Sequence, residues 1–336
     1  MAANAPLIDV HTHVVPAGLP FGHDGRFATF SPEGDTAEVL VDGAVFRVIT
    51  REAWDVEARV AAMDATGVTM QAISPMPELF SYWAEPDLGR SFAAALNEAI
   101  AEMAAAAPDR LVGLGTVPLQ DLDGAIAAVE QVRALGLLGI EIGSNVLGAC
   151  TGAPEFLPFF QAVADAGLCV FVHAFHPPYW DCCADPQMAA AVNFPPEIGT
   201  CMAAMVANGT VQQSPGLRVC GSHGGGTLPL HLPRMAAFWD ANPARVERGV
   251  LPYDAVRGMW FDSLTYGPAA LRALIDLVGP TRVVIGSDAP FFAEPPGYVL
   301  DDLHAQVPLP ADDLATIRVA SALELLGLPA IPGGVA

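Results

Sequence analysis

The stretch Leu7-Ile8-Asp9-Val10-His11-Thr12-His13 is an apolar run that ends in two histidines separated by one residue. Side chains at positions i and i+2 of a strand point to the same side, so this run predicts two neighbouring imidazoles at a strand end. Imidazole nitrogens bind zinc and its first-row neighbours, and a catalytic site needs about three protein ligands plus an open position. The alternative interpretation is two polar residues where a strand leaves the core.

The rest of the chain alternates short apolar runs with segments of helical periodicity. We interpret eight runs as strands: Leu7 to His13, Val68 to Ile73, Leu111 to Val117, Gly139 to Ile142, Leu168 to His173, Leu217 to His223, and two near Gly258 to Asp262 and Arg282 to Gly286. Such alternation indicates an α/β protein with a parallel sheet, and eight strands close a (β/α)8 TIM barrel. The alternative, a doubly wound open sheet, would need a Gly-x-Gly-x-x-Gly turn after the first strand, and the sequence has none there. No linker or repeat interrupts the run, so we expect residues 1–336 to form a single domain.

Residues 14–53 are rich in proline, glycine and charge, which predicts an insertion after the first strand. Within it, the runs Ala37 to Val41 and Ala44 to Ile49 flank Asp42-Gly43, a two-residue signal for a β-hairpin. We expect a small flap above a site, with Arg47 on its second strand. For Arg47 the alternative is a solvated hairpin charge.

Composition excludes several classes of function. Apolar residues make up 52% of the chain without a run of eighteen, which argues against a membrane protein, and the N-terminal residues do not resemble a signal peptide, so we expect a cytoplasmic protein. The formal charge of -22 repels phosphate backbones and argues against a nucleic-acid partner. All 15 basic residues are arginine. Schiff-base chemistry, pyridoxal phosphate linkage, the P-loop and a carboxylated-lysine metal bridge are excluded, because each requires a lysine.

Five polar side chains follow the ends of the predicted strands. Catalytic residues of such barrels lie at the carboxyl ends of the strands. This rule brings together His11 and His13 on the first strand, His173 on the fifth, His223 on the sixth and Asp288 after the eighth. Singly, these residues are compatible with a core histidine, a turn cap or a histidine bonded within a glycine turn. Their convergence from distant parts of the chain predicts a metal centre.

Several motifs resemble a known family over most of the chain. His11-Thr12-His13, Phe171-Val172-His173, His223-Gly224-Gly225-Gly226 and Gly286-Ser287-Asp288-Ala289-Pro290 are similar to the metal-dependent amidohydrolase superfamily, in particular its aminocarboxymuconate-semialdehyde decarboxylase branch. The resemblance implies one Zn²⁺ per subunit, with Mn²⁺ or Fe²⁺ as alternatives, bound by His11, His13, His173 and Asp288. It also implies His223 as an acid/base beside a metal-bound water, with Asp288 sharing the catalytic role.

The same resemblance implies how a substrate is held. Arg47 and Arg234 would bind its carboxylates, and in this family the second arginine comes from a neighbouring subunit, which implies a homodimer. The chain departs from the family after the fifth strand, where His173-Ala174-Phe175-His176-Pro177-Pro178-Tyr179-Trp180 replaces the usual His-Pro-Trp-Asp-Met. That loop would face the substrate, so Phe175, His176 and Trp180 are candidate contacts, although loop packing would also account for them.

We therefore expect a metal-dependent, non-oxidative decarboxylase of an unsaturated or aromatic (di)carboxylate similar to 2-amino-3-carboxymuconate-6-semialdehyde. The alternative is a metal-dependent hydrolase or hydratase that acts on a small carboxylated substrate on the same barrel.

Overall fold

The computed structural model describes residues 5–19, 29–41, 43–177, 179, 182–241, 250–291 and 307–334. Its strands, in chain order, are β1 (Ile8–Val14), β2 (Thr29–Glu33), β3 (Thr36–Val41), β4 (Ala44–Thr50), β5 (Met70–Pro75), β6 (Leu111–Gly115), β7 (Gly139–Gly143), β8 (Asn145–Val146), β9 (Ala149–Cys150), β10 (Cys169–His173), β11 (Arg218–Gly221), β12 (Trp260–Asp262) and β13 (Val283–Val284). The predicted barrel is confirmed. Eight parallel strands follow the order β1-β5-β6-β7-β10-β11-β12-β13.

The sheet closes on itself between its first and last strands. Parallel bridges join Asp9 to Ile285 and Thr12 to Ala289. The Asp9 carboxylate reinforces this seam, because it accepts hydrogen bonds from the backbone N–H and the hydroxyl of Ser287 at 3.2 and 2.5 Å. The open-sheet alternative is therefore wrong.

Helices follow most strands of the barrel. They cover Val56–Thr66, Pro86–Ala106, Leu122–Ala134, Leu157–Asp165, Pro186–Asn208, Thr210–Gln213, Leu228–Asp240, Pro252–Val256, Pro268–Val278, Ala311–Ala315 and Ser321–Leu326. Local sequence accounts for their ends: the Asp55 carboxylate accepts from the N–H of Ala58 at 2.9 Å to begin one helix, and Gly67 at φ 72° ends it. None of the helices in the described ranges is both long and apolar enough to cross a membrane.

The insertion after β1 contains the predicted hairpin. β3 and β4 pair antiparallel, and β2, which was not predicted, adds a third strand beside β3. Asp42 of the turn lies outside the described residues. The limits 14–53 of the insertion and the assignment of residues 1–336 to one domain stay predictions.

The barrel interior is apolar below the strand ends. Its cluster of buried side chains comprises Ile8, Val10, Met70, Ala72, Val112, Leu114, Cys169, Phe171, Cys220, Trp260, Val284, Ala322, Leu325 and Leu326. The last three come from the C-terminal helix, which therefore covers the end of the barrel opposite to the catalytic ends. Burial of this cluster leaves only the carboxyl ends of the strands for polar chemistry.

An irregularity in β1 brings its histidines into this interior. Asp9 pairs with Gln71 and Thr12 with Ile73, so three steps along β1 oppose two along β5. One extra residue of this kind re-aims the side chains beyond it. Val10 belongs to the interior cluster, and the adjacent His11 ring lies 4.9 Å from the interior ring of Phe171.

Candidate metal centre

Four side chains meet at the carboxyl ends of the barrel strands. They are His11 and His13 of β1, His173 at the end of β10, and Asp288 beyond β13, and one ligand atom from each lies within 4.8 Å of the others. Asp288 Oδ1 is 3.1 Å from His13 Nε2 and 3.7 Å from His11 Nε2. The structure thus brings together the whole ligand set that the sequence predicted.

Hydrogen bonds orient the three imidazoles. Nδ1 of His11 lies 2.6 Å from Asp262 Oδ2, Nδ1 of His13 lies 3.1 Å from the Pro75 carbonyl oxygen, and Nδ1 of His173 lies 2.6 Å from the Ala174 carbonyl oxygen. Because each partner can only accept, Nδ1 donates in every ring, so Nε2 is the nitrogen left to bind a metal.

The remaining polar atoms fit a cation. The three Nε2 atoms and Asp288 Oδ1 are buried without a hydrogen-bond partner in the described part of the chain. Buried polar atoms are nearly always paired, so four such atoms facing one another fit the ligand set of one common cation. Three imidazoles, each able to bind through Nε2 once that nitrogen is deprotonated, and one carboxylate match the donor set of a single divalent metal with an open position.

Electrostatics favour positive charge at the same point. Burial opposes the charged form of His11, but the hydrogen bond to Asp262 and nearby negative charge raise its pKa to about 9. Burial likewise opposes ionisation of Asp288, yet the adjacent imidazole of His13 and the surrounding histidines hold the pKa of that carboxyl well below its usual range. For His173, burial and the charges of His13 and His11 lower the pKa well below its ordinary value, which keeps this ring neutral.

His223 lies beside this cluster. Its ring is 5.1 Å from that of His173 and 5.3 Å from that of His11, and neither of its ring nitrogens has a hydrogen-bond partner among the described residues. The backbone is left-handed at φ 51°, which ends β11 two residues earlier than predicted, and Asp288 has φ 59°. Non-glycine residues held in this region cluster at active sites, because the surrounding structure must impose them.

Asp262 is a residue of the site that sequence reasoning missed. It ends β12, is fully buried, and accepts from His11 Nδ1 and from the backbone N–H groups of His223, Gly224 and Leu264 at 2.6 to 3.0 Å. His11, His223 and Asp262 also have ligand atoms within 4.8 Å of one another. Since four donors already occupy the Asp262 carboxylate, we interpret it as a support for the site. Its position at the end of a predicted strand was the available signal.

A rim of side chains surrounds the centre, formed by Phe291, Arg47, Phe46, His176 and Phe194. Phe291 stacks on His13 at 5.2 Å, and the Arg47 guanidinium carbon lies 4.4 Å from the centroid of the Phe291 ring. Phe194 stacks on His223 at 6.1 Å. Phe46 and Phe194 lie 6.0 and 6.1 Å from the His176 ring, which therefore contacts both of them. Arg47 therefore lies at the site.

The other predicted substrate contacts, Phe175, Trp180 and Arg234, are not part of this rim as far as the structure describes them. Phe175 is half-buried against Phe80 and Tyr82, with ring centroids 5.7 and 5.8 Å away. Trp180 lies outside the described residues. Arg234 is exposed on the helix Leu228–Asp240, where its guanidinium lies 4.8 Å from the Phe238 ring centroid. The roles predicted for Phe175, Trp180 and Arg234 stay predictions.

A barrel with this cluster of histidines and an aspartate at its catalytic end is a metal-binding enzyme. Residues 8–328 match the sequence model of a protein family described as amidohydrolase. The chain is 31% identical over 338 residues to the 2-amino-3-carboxymuconate-6-semialdehyde decarboxylase of Dictyostelium discoideum, covering 96% of this chain and 91% of that protein. It is 29% identical to the enzyme of the same name from Caenorhabditis elegans, covering 84% and 85% of the two chains. The chain belongs to the amidohydrolase family.

Solved structures share this fold. The Metarhizium anisopliae IDCase in apo form has a TM-score of 0.82 at 21% identity, covering 97% of this chain and 98% of that one. A 5-carboxyvanillate decarboxylase from Novosphingobium aromaticivorans, solved with bound manganese, has a TM-score of 0.77 at 20% identity, covering 97% and 98%. The resemblance predicted from the motifs is confirmed at the level of the family.

Proposed function

We propose that this chain is a metal-dependent, non-oxidative decarboxylase of an unsaturated or aromatic (di)carboxylate of the 2-amino-3-carboxymuconate-6-semialdehyde type. The observation that carries the proposal is the placement of His223, with both ring nitrogens unpartnered among the described residues, beside four converging ligands whose rim includes Arg47. The relatives named as decarboxylases of this substrate support the assignment.

His11, His13, His173 and Asp288 would hold the metal. Zinc is the ion we propose, because three imidazoles and one carboxylate suit it; manganese, which the Novosphingobium enzyme binds, and Fe²⁺ are the alternatives. When bound, the ion supplies a Lewis acid at the reacting end of the substrate.

His223 is the proposed acid/base. Loss of CO₂ breaks a carbon–carbon bond and leaves its electron pair on the substrate, so a proton must reach that carbon. A ring nitrogen of His223 can hold this proton and deliver it, since no described side chain competes for either nitrogen. Stacking on Phe194 keeps the ring in place.

Arg47 is proposed to bind a substrate carboxylate. Its planar guanidinium suits two parallel hydrogen bonds to a carboxylate, and Phe291 positions it by a cation–π contact. Phe175, His176 and Trp180 are proposed to complete the substrate pocket.

We also propose a homodimer in which Arg234 enters the partner's site. Arg234 is exposed on its own chain, and large apolar side chains are exposed nearby on the same helix, namely Leu230 at 78% and Phe238 at 63%. Val45 and Val48 of the hairpin strand β4, which carries Arg47, are exposed at 54% and 60%. A contact between copies would cover such surfaces. The cytoplasmic localisation and the absence of nucleic-acid and membrane partners stay predictions from composition.

The test is CO₂ release from zinc-loaded protein given aminocarboxymuconate semialdehyde and a set of carboxylated phenols. We expect release that stops on chelation and returns with zinc, and none from the metal-loaded His223→Ala variant. Incorporation of ¹⁸O from labelled water into product without CO₂ would instead establish the hydrolase or hydratase alternative.

A further inference from the structure

An exposed aromatic side chain lies beside His223 at the catalytic end of the barrel. Tyr266 belongs to the connection that follows β12, and β12 is paired between β11, which precedes His223, and β13, which precedes Asp288. The ring centroid of Tyr266 is 6.5 Å from that of His223, and the two rings are inclined by 30°. The residue is 52% exposed. Tyr266 therefore extends the rim of the site next to the proposed proton carrier.

The backbone of Tyr266 is held in a conformation that a bulky residue rarely adopts. Its φ is 56°, in the left-handed region, where a β-carbon crowds the following carbonyl oxygen. Glycine adopts this conformation without that cost, yet the adjacent Gly267 has φ -169°, an extended backbone that any residue adopts. His223 and Asp288 are also left-handed, at φ 51° and 59°. Residues strained in this way cluster at active sites, which calls for a role of the Tyr266 side chain in this one.

The surroundings of the Tyr266 hydroxyl place it in a cleft and not on the outer surface. Burial is the main cause that raises the pKa of this hydroxyl, and the carboxylates of Asp288 and Asp262 raise it further. Arg47 lowers the same pKa, so its guanidinium is also near the hydroxyl. A side chain that protein atoms surround and that is still half exposed lines an open cavity. Tyr266, His223 and Arg47 thus border one cavity above the metal ligands.

We propose that Tyr266 is a substrate-contact residue, and that the exposed part of its ring packs against the planar, unsaturated part of the substrate next to His223. The inference rests on the proposed function, which supplies the planar substrate, and it adds a residue that the sequence motifs did not indicate. Aromatic rings pack well on other flat π-systems in offset-stacked or edge-to-face arrangements. The contact therefore favours flat ligands over puckered ones, and a glycine at this position would lose that preference.

The experiment compares a flat ligand with a puckered one and does not require turnover. Zinc-loaded protein is titrated calorimetrically with isophthalate and with cis-hexahydroisophthalate, which carries the same two carboxylates on a saturated ring. In Tyr266→Ala and Tyr266→Gly we expect the affinity for isophthalate to fall about 10-fold, and the preference for isophthalate over the saturated ligand to fall about 5-fold. Tyr266→Phe keeps the ring, so both values should stay within about 2-fold of those of the wild-type protein.

A comparison of alanine with glycine separates backbone strain from ring contact. Both variants of Tyr266 lack the ring, but only glycine relieves the left-handed backbone. Tyr266→Gly should therefore unfold at a higher urea concentration than Tyr266→Ala, although the two variants bind each ligand equally. The matched control is Leu147, which is left-handed at φ 51° and 72% exposed between β8 and β9. Leu147→Gly and Leu147→Ala should differ in stability in the same direction and bind both ligands as the wild-type protein does.

Three results would overturn the inference: equal binding of the two ligands by the wild-type protein, an unchanged preference in Tyr266→Gly, or an equal weakening of both ligands in that variant. The last result would show that the ring only orients its neighbours. The outcomes also separate this inference from the decarboxylase proposal. A preference that depends on Tyr266 in a protein that releases no CO₂ refutes only the activity. Release of CO₂ by a protein whose preference Tyr266→Gly does not change refutes only the contact.

Discussion

Replacing Asp262 by asparagine should weaken metal binding although Asp262 is not among the four converging ligands. One oxygen of Asp262 accepts from His11 Nδ1 and from the His223 N–H, and the other accepts from the N–H groups of Gly224 and Leu264. Asparagine keeps the shape but turns one of these two acceptors into a donor. Its amide can therefore satisfy only one side of the network.

The two amide orientations differ in cost. If the NH₂ group faces Gly224 and Leu264, two buried backbone N–H groups lose their acceptor. If it faces His11 and His223, only the His223 N–H is left unpaired, because His11 can move its proton from Nδ1 to Nε2 and accept from the amide. Each unpaired buried donor costs about 1–3 kcal/mol. The second orientation leaves one donor fewer unpaired than the first, so it is favoured by the cost of one unpaired donor.

The favoured orientation removes a metal ligand, since it places a proton on the His11 nitrogen that faces the metal. Loss of such supporting partners typically costs about 10- to 100-fold in metal affinity, or roughly 1.4 to 2.7 kcal/mol. We expect this loss in a chelator-competition assay with zinc. The control is Asp254→Asn, the same change at an exposed aspartate. Unchanged zinc affinity in folded Asp262→Asn would refute the assignment of the His11 tautomer.

Three further changes test other parts of the site and the fold. His223→Ala should retain bound zinc, measured by elemental analysis, and lose at least about 100-fold in turnover, because it removes only the proposed proton carrier; full activity would exclude that role. Arg47→Ala should raise KM for a carboxylated substrate far more than it lowers kcat in steady-state assays, and an unchanged KM would exclude a role for Arg47 in binding the carboxylate. Arg59→Met should lower the free energy of unfolding, measured in urea, by about 3 kcal/mol, because the buried guanidinium donates to the carbonyl groups of Glu52, Gln71 and His13. The control is the same change at an exposed arginine, Arg133→Met. Equal losses of unfolding free energy in the two variants would contradict the reasoning.

Much of this site could be predicted because the strand ends can be recognised from local sequence and the barrel strands follow one another in chain order. Apolar runs that end in His13 and His173 mark both the strand and the point where it leaves the core. Once eight such runs are recognised, barrel closure brings their carboxyl ends together without further information. This is why His11, His13, His173 and Asp288 are found together, as the sequence predicted.

The features that were missed depend on contacts between distant segments. Asp262 receives hydrogen bonds from three strand ends, and the sequence shows only an aspartate after Trp-Phe. The extra residue in β1 is visible only in its pairing with β5. The hydrogen bond between Glu78 and His176 joins residues 98 positions apart, and hydrophobic periodicity carries no information about such a partner. The hydrophobic pattern of the sequence therefore predicts which residues reach the site. Only the folded structure shows which side chains from distant segments orient those residues.

The charge of the protein and the charge of its proposed substrate have the same sign, and the site resolves this conflict locally. The carboxyls of Asp288 and Asp262 are buried among imidazoles, and the adjacent His13 ring for Asp288 and the hydrogen bond from His11 for Asp262 keep their pKa values low despite burial. Before a metal binds, the centre is therefore anionic and selects a cation. A divalent ion cancels the charge of these two carboxylates, and Arg47 beside it then makes the site positive. An anionic substrate is then attracted to one point on a chain that carries a formal charge of -22. Metal binding and substrate recognition are thus coupled, because the same buried carboxylates that attract the ion would repel the substrate without it.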